Sequence, residues 1–276
     1  MPDPAITDDS ALGGRLRLLQ PARGHRFGHD AILLAACIPA AAGEHAVELG
    51  AGVGAAGLAL LARVPNAKVT LVEIDPALTA LATENIVRNG MERGARAVTL
   101  DVGAPARAFL GAGLPPACAD HVLMNPPFND ATHQASPDAA RRRAHRAHKG
   151  LLAAWLGTAA RLVKPGGTVT LIGRAAQLGE ALADIPRSFG GVRILPVFGK
   201  PEQPAIRILV QGIAGSREAL SLLPGLTLND SAGRPTAEAE AAMRNAESLP
   251  LAAIAASRSR PASPPAGERR PRSSRA

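Results

Sequence analysis

The chain is poor in aromatic residues: Phe, Trp and Tyr make up 2% of its 276 residues, with five Phe, one Trp and no Tyr. Cysteine is scarce too. Cys37 and Cys118 lie far apart, with neither CxxC nor metal-ligand spacing. That pattern excludes a disulfide scaffold and fits two buried thiols in a reducing cytoplasm. The histidines show no clean metal spacing with Cys or acids, so no metal is expected. No run of 18 or more apolar residues is free of charges and Gly/Pro breaks, which excludes a transmembrane helix and a membrane partner. The N-terminal stretch MPDPAITDDS is acidic and lacks the apolar region of a secretory signal.

Apolar residues are plentiful at 46%, and 20% of the chain is charged, enough for one sizeable core plus tails. The net charge of +8 is unevenly spread. The run RRRAHRAHK (141–149) carries five positive charges, and the segment 257–275 carries six Arg against one Glu. Together they exceed the net charge of the whole chain, so the remainder is slightly acidic. The Pro/Ser/Arg-rich tail, residues 255–276, is expected to be disordered, either as a solubilising tail or as a sequence-blind phosphate tether.

From residue 45 the pattern alternates. HAVELG (45–50), KVTLVEID (68–75), ARAVTLD (95–101), ADHVLMN (119–125) and TVTLIG (168–173) read as strands. Between them, 55–64, 76–89 and 139–163 have helical spacing. Pro76 suits a first helical turn, and KPGG (164–167) suits a helix end. GVRILPVF (191–198) and AIRILVQGI (205–213) read as an antiparallel C-terminal hairpin. The alternation predicts an α/β fold, doubly wound around a mostly parallel sheet.

VELGAGVGAAG (47–57) joins the first of these strands to a helix. Gly50, Gly52 and Gly54 permit a tight turn and close approach of a ligand to the backbone. Dinucleotide-binding proteins have such a turn as well. Here, however, the acid Glu48 sits in it, where a pyrophosphate would be repelled. A second acid, Glu73, ends the next strand, where a carboxylate can hold a ribose diol. VELGAGVG followed by VTLVEID resembles motifs I and II of the class I S-adenosylmethionine-dependent methyltransferases, which implies a seven-stranded Rossmann-like sheet and that cofactor. By this resemblance Gly50, Gly52 and Gly54 shape the methionine pocket with Glu48 nearby, Glu73 takes the ribose hydroxyls, and Asp101 faces the adenine amine.

MNPPFND (124–130) follows the apolar run DHVLM and holds one of the few aromatics. In a doubly wound sheet this strand lies beside the first, which puts NPPF at the ligand crevice. Proline has no N–H and a fixed φ, so Pro126 and Pro127 present rigid carbonyls without competing donors. The side-chain oxygen of Asn125 and the carbonyl of Pro126 can accept both hydrogens of one planar –NH2. Phe128 offers a face against which a flat base stacks. NPPF resembles the motif of methyltransferases acting on exocyclic base amines and on glutamine amides.

The segment 18–39, with Gly28, Asp30 and AILLAA, resembles the corresponding part of the tRNA1(Val) adenine methyltransferase family, as does 226–251. That resemblance adds Asp30 to the cofactor set and makes tRNA the implied partner, with adenine N6 the implied acceptor. Arg141, Arg142, Arg143, Arg146 and Lys149 follow NPPF and either contact RNA phosphates or form a solvated helix face. Trp155, on the more apolar part of the same helix, reads as core. The expected organisation is an N-terminal segment (1–44) packing on the core, a catalytic domain (45–230), a C-terminal segment (231–254) and the tail. Three alternatives stay open. One is a glutamine N5-methyltransferase, whose family has a longer helical N-terminal domain. Another is an rRNA guanine-N2 methyltransferase, often with a duplicated domain. The third is an RNA-binding protein that keeps the fold without activity.

Overall fold

The computed structural model describes residues 5–23, 26–127 and 138–252; for 138–149 it describes the backbone alone. A hairpin of β1 (Ile6–Ala11) and β2 (Leu16–Pro21) leads into helix α1 (His29–Ala36). The alternation then runs β3 (His45–Leu49), α2 (Ala55–Arg63), β4 (Lys68–Glu73), α3 (Pro76–Arg88), β5 (Ala95–Thr99), α4 (Ala106–Gly111), β6 (Ala119–Met124), α5 (Asp138–Leu162) and β7 (Val163–Arg174). It ends with α6 (Leu178–Asp184), β8 (Phe189–Phe198), β9 (Ala205–Ala214), the two-residue strands β10 (Ser221–Leu222) and β11 (Leu226–Thr227), and α7 (Ala237–Asn245).

The main sheet has the order β10-β8-β9-β7-β6-β3-β4-β5, with β11 also on β8. Seven strands form its body as expected; β10 and β11 extend one edge. β9 runs antiparallel to both β7 and β8, and every other pairing is parallel. From β3 the chain moves outward through β4 and β5, then returns to β6 on the other side of β3. The strand order therefore reverses at β3, which opens a crevice above the carboxyl ends of β3 and β6.

The pleat divides the core between the two faces of the sheet. In β3, Ala46 faces the layer of α1 and α2, whereas Val47 and Leu49 face α4 and α5. Helix α2 sits close on the sheet because Gly57 has no side chain: a Cβ there would lie 2.5 Å from Leu71 and 2.9 Å from Oε2 of Glu48. Helix α3 starts where the sequence places it, with Pro76 in the first turn and the Asp75 carboxylate accepting from Ala77 N–H at 2.8 Å. Cys37 is buried and Cys118 half-buried, and both are free thiols. Among the described residues no helix is long and apolar enough to cross a membrane.

Two features depart from the sequence reading. KPGG lies within the β7 span, as an irregularity between its pairings Ala119↔Val163 and His121↔Thr168 with β6. Gly166 takes φ +79°, and a Cβ on Gly167 would meet the Asp120 carbonyl at 2.5 Å, so the glycines serve a strand bulge rather than a helix end. The N-terminal hairpin was not expected at all. Its second strand docks on α3 through two asparagine amides. Asn85 accepts from Leu19 N–H at 2.7 Å and donates to the Leu19 carbonyl at 3.0 Å. Asn89 does the same with Arg17, at 2.9 and 2.8 Å. Four helical residues rise about 6.0 Å, and two strand residues about 6.6 Å. Asparagines one turn apart therefore match alternate residues of β2.

Asn85 is fully buried and also donates to the Val53 carbonyl at 3.0 Å, tying the hairpin to the glycine turn. Asn85→Ala should cost about 2–4 kcal/mol and remove hydrogen-exchange protection at Leu19, with Asn89→Ala nearer 1 kcal/mol. Unchanged Leu19 protection in Asn85→Ala would contradict this docking role. Glu48 supplies a second test. Burial pushes its carboxyl up to about 8 from 4.5, with the nearby Glu73 charge adding to the shift against the Gly57 hydrogen bond. The folded state thus holds a proton that the unfolded chain releases, and this group's contribution to stability falls as pH rises from about 4.5 to about 8. Glu48→Gln keeps an acceptor for Gly57 N–H and loses this penalty. Its stability relative to wild type should therefore rise steadily between pH 5 and pH 8 in denaturant titrations; a flat difference would show that Glu48 is ionised in the fold.

Candidate functional site

The glycine turn leaves β3 with Gly50, Gly52 and Gly54 all at positive φ, at +70°, +55° and +87°. The three glycines serve different ends. At Gly50 a Cβ would lie 2.3 Å from the ring of Trp155, and at Gly54 it would lie 2.7 Å from Leu71. At Gly52 nothing stands within 4 Å. Gly50 and Gly54 therefore hold the turn down on the two core layers, while Gly52 gives its open side to whatever enters the crevice. Gly50 and Ala51 N–H both donate to the Val72 carbonyl at 2.9 Å, which binds the turn to β4.

Glu73 ends β4 and is buried. One carboxylate oxygen accepts from Gly52 N–H at 2.7 Å; the other accepts from Ile74 N–H at 2.8 Å and Asp75 N–H at 3.0 Å. Three backbone donors thus fix its orientation at the rim of the turn. Ile74, the next residue, is 61% exposed. An apolar side chain left open beside an oriented carboxylate suits a ligand with a flat apolar face next to a pair of hydroxyls. Sequence reading passed over Ile74; its signal was an apolar residue between Glu73 and the helix-capping Asp75.

Asp101 lies two residues beyond β5, exposed, with its carboxylate accepting from Gly103 N–H at 2.8 Å. Asn125 and Pro126 follow β6 directly, the first half-buried and the second buried, while Pro127 is exposed. Because β6, β3, β4 and β5 are parallel neighbours, their carboxyl ends set Asn125, the glycine turn, Glu73 and Asp101 along one edge. Three strand spacings make that row about 14 Å long.

Two acids expected in this set are engaged elsewhere. Glu48 is placed within β3 rather than in the turn, with its carboxyl under α2 accepting from Gly57 N–H at 2.7 Å. It belongs to the scaffold beneath the turn. Asp30 lies in the first turn of α1, and its carboxylate is held by Nε of Arg207 at 2.9 and 3.1 Å. Arg207 stands in β9 opposite Arg174, the last residue of β7, so Asp30 is anchored at the far end of the same sheet edge. Phe128 lies outside the described residues. So do the side chains of Arg141, Arg142, Arg143, Arg146 and Lys149, whose backbone is helical within α5. Trp155 is buried core, as expected, and it also forms the floor under Gly50.

The arrangement fits a nucleoside carrying an amino-acid end: open backbone at Gly52, an oriented carboxylate at Glu73, an exposed Ile74, a further acid at Asp101, and no phosphate-directed cation among these residues.

Comparison with known proteins agrees with this geometry. Over 109 residues the chain is 30% identical to the ribosomal RNA small subunit methyltransferase C of Pseudomonas fluorescens, covering 38% of this chain and 30% of that protein. The chain thus spans less than a third of the length of that curated relative. The crystal structure of a predicted O-methyltransferase from Agrobacterium tumefaciens superposes with a TM-score of 0.67 at 29% identity, covering 80% of this chain and 97% of the other. Residues 26–197, from the loop before α1 to the end of β8, match the methyltransferase small domain family. With its glycine turn, the Glu73 carboxylate and Asn125-Pro126-Pro127 on one sheet edge, the chain belongs to that family of methyltransferases, whose cofactor is S-adenosylmethionine.

Proposed function

We propose that this protein transfers the methyl group of S-adenosylmethionine to the exocyclic amine of a base in RNA, with adenine N6 in tRNA as the specific acceptor. The observation that carries this reading is the position of Asn125 and Pro126 at the end of β6, beside the glycine turn of β3. The bound cofactor supplies an electrophilic methyl on a sulfonium. Glu73 accepts the ribose hydroxyls, Gly52 presents open backbone, and Ile74 and Asp101 take the adenine.

Asn125 Oδ1 and the Pro126 carbonyl each accept one hydrogen of the substrate amine. Holding both hydrogens turns the nitrogen lone pair out of the base plane and towards the methyl. The gain is one of positioning and of charge complementarity as the nitrogen becomes positive. A hydroxyl has one hydrogen and would leave one of the two acceptors idle, so the pair favours nitrogen over oxygen. Phe128 follows in sequence, and stacking of a base on it is worth about 1–3 kcal/mol. The basic run from Arg141 to Lys149 supplies phosphate contacts, which would make RNA binding salt-dependent. The ribosomal RNA methyltransferase relative supports RNA as the substrate class, and it keeps an rRNA base as a second reading.

The test is labelling with tritiated S-adenosylmethionine, comparing total RNA with total protein and then digesting the labelled RNA to nucleosides. N6-methyladenosine in tRNA is the expected product; label in rRNA guanine favours the second reading, and label confined to protein overturns the RNA assignment. Asn125→Ala should slow transfer by about two or more orders of magnitude while leaving S-adenosylhomocysteine affinity within about threefold. Glu73→Ala should do the reverse, weakening that affinity by about tenfold or more, since a carboxylate–hydroxyl bond is worth about 1.5–3 kcal/mol.

A further inference from the structure

Helix α5 touches the cofactor site from beneath at two places. Trp155 lies against Gly50 through Cη2 and Cζ3, the distal edge of its ring, and only the missing Cβ of Gly50 makes room for it. Three residues on, the buried Thr158 donates from Oγ1 to the Val102 carbonyl at 2.9 Å. Val102 sits in the turn Asp101–Ala104, which Asp101 closes by accepting from Gly103 and Ala104 N–H. Thr158 Oγ1 accepts in turn from the Arg161 guanidinium at 2.8 Å, and that cation stands 5.9 Å over the Phe109 ring. Residues three apart on a helix share a face, about 5–6 Å from one another. One stripe of α5 therefore supports both the turn that carries Gly52 and the turn that carries Asp101. The two turns leave strands separated by β4.

We infer that Trp155 and Thr158 are positioning residues for methyl-donor binding. They set the height and separation of the Gly50 and Asp101 turns, and act on the cofactor only through those turns. A packing residue on this helix, by contrast, would affect stability alone. Leu156 is such a residue: it lines a small apolar cavity with Val169, Leu171, Ile185 and Phe189, on the side of β7 and β8.

This inference rests on the S-adenosylmethionine site described above, and calorimetry with S-adenosylhomocysteine separates the two. No binding by the wild-type protein would overturn the site itself. With wild-type binding established, Thr158→Val should raise Kd about three- to tenfold, and Thr158→Ser should restore it because the hydroxyl returns. Trp155→Leu should raise Kd about tenfold or more, and Trp155→Phe should recover only part, since a phenyl ring does not reach Gly50. Leu156→Ala should lower the melting temperature and leave Kd within twofold. Trp155 is the only Trp in the chain, so wild-type fluorescence should also change on adding S-adenosylhomocysteine. If the Thr158 and Trp155 variants bind as tightly as Leu156→Ala, or if Thr158→Val and Thr158→Ser weaken binding equally, the inference falls. Should Trp155→Leu fail to fold, the Thr158 pair decides alone.

Discussion

The buried carboxylate of Glu73 is the contact on which the site depends. It receives N–H bonds from Gly52 on one side and from Ile74 and Asp75 on the other. Thereby it joins the end of β4 to the turn after β3 and gives both a fixed geometry before any ligand arrives. Its orientation is fixed because its donors are backbone groups that cannot swing away. It also has a neighbour. Glu48 lies on the same side of the sheet one strand over, and two ionised carboxyls in such a space would repel. Glu48 resolves this by holding its proton, with burial as the larger cause and the Glu73 charge as a smaller one.

The turn between these two acids is held from both faces of the sheet. Leu71 fills the space under Gly54 on the α2 side, and Trp155 fills the space under Gly50 on the α5 side. Only Gly52 is left open. The same three-glycine spelling thus covers two packing requirements and one opening. The distinction matters for substitutions: alanine at any of the three meets an unfavourable φ, but at Gly50 and Gly54 it also collides with a core side chain.

Much of this was legible in the sequence. The apolar runs that became β3 to β6, the Pro76 helix start and the β8–β9 hairpin all follow from local pattern, and the place of β6 beside β3 follows from the doubly wound topology. Glu48 was misplaced because the glycine motif was read as a unit. The pleat contradicts that reading, since 46 and 48 must face one way and 47 and 49 the other. The β1–β2 hairpin escaped because TDDS in its first strand offers no apolar alternation; it is held by Asn85 and Asn89, more than 60 residues away. Asp30 and Arg207, separated by 177 residues, illustrate the same limit. A pairing made by the tertiary fold leaves no trace in the spacing of either partner. Trp155 was legible as core, but its position under Gly50 was not.

The asparagine docking of the hairpin has a consequence of another kind. Nearby, Arg17 and Arg88 both reach Asp8 at 2.7 Å, and these exposed ion pairs weaken as salt rises. The four amide bonds from Asn85 and Asn89 to β2 involve no net charge. The part of the attachment made by these amides, and with it the Asn85 brace on Val53, does not depend on a charge, whereas the Arg88–Asp8 part does. A basic protein proposed to work against a polyanion meets large local changes in counterion concentration. One tie on its glycine turn, from Asn85 to the Val53 carbonyl, carries no charge for such changes to screen.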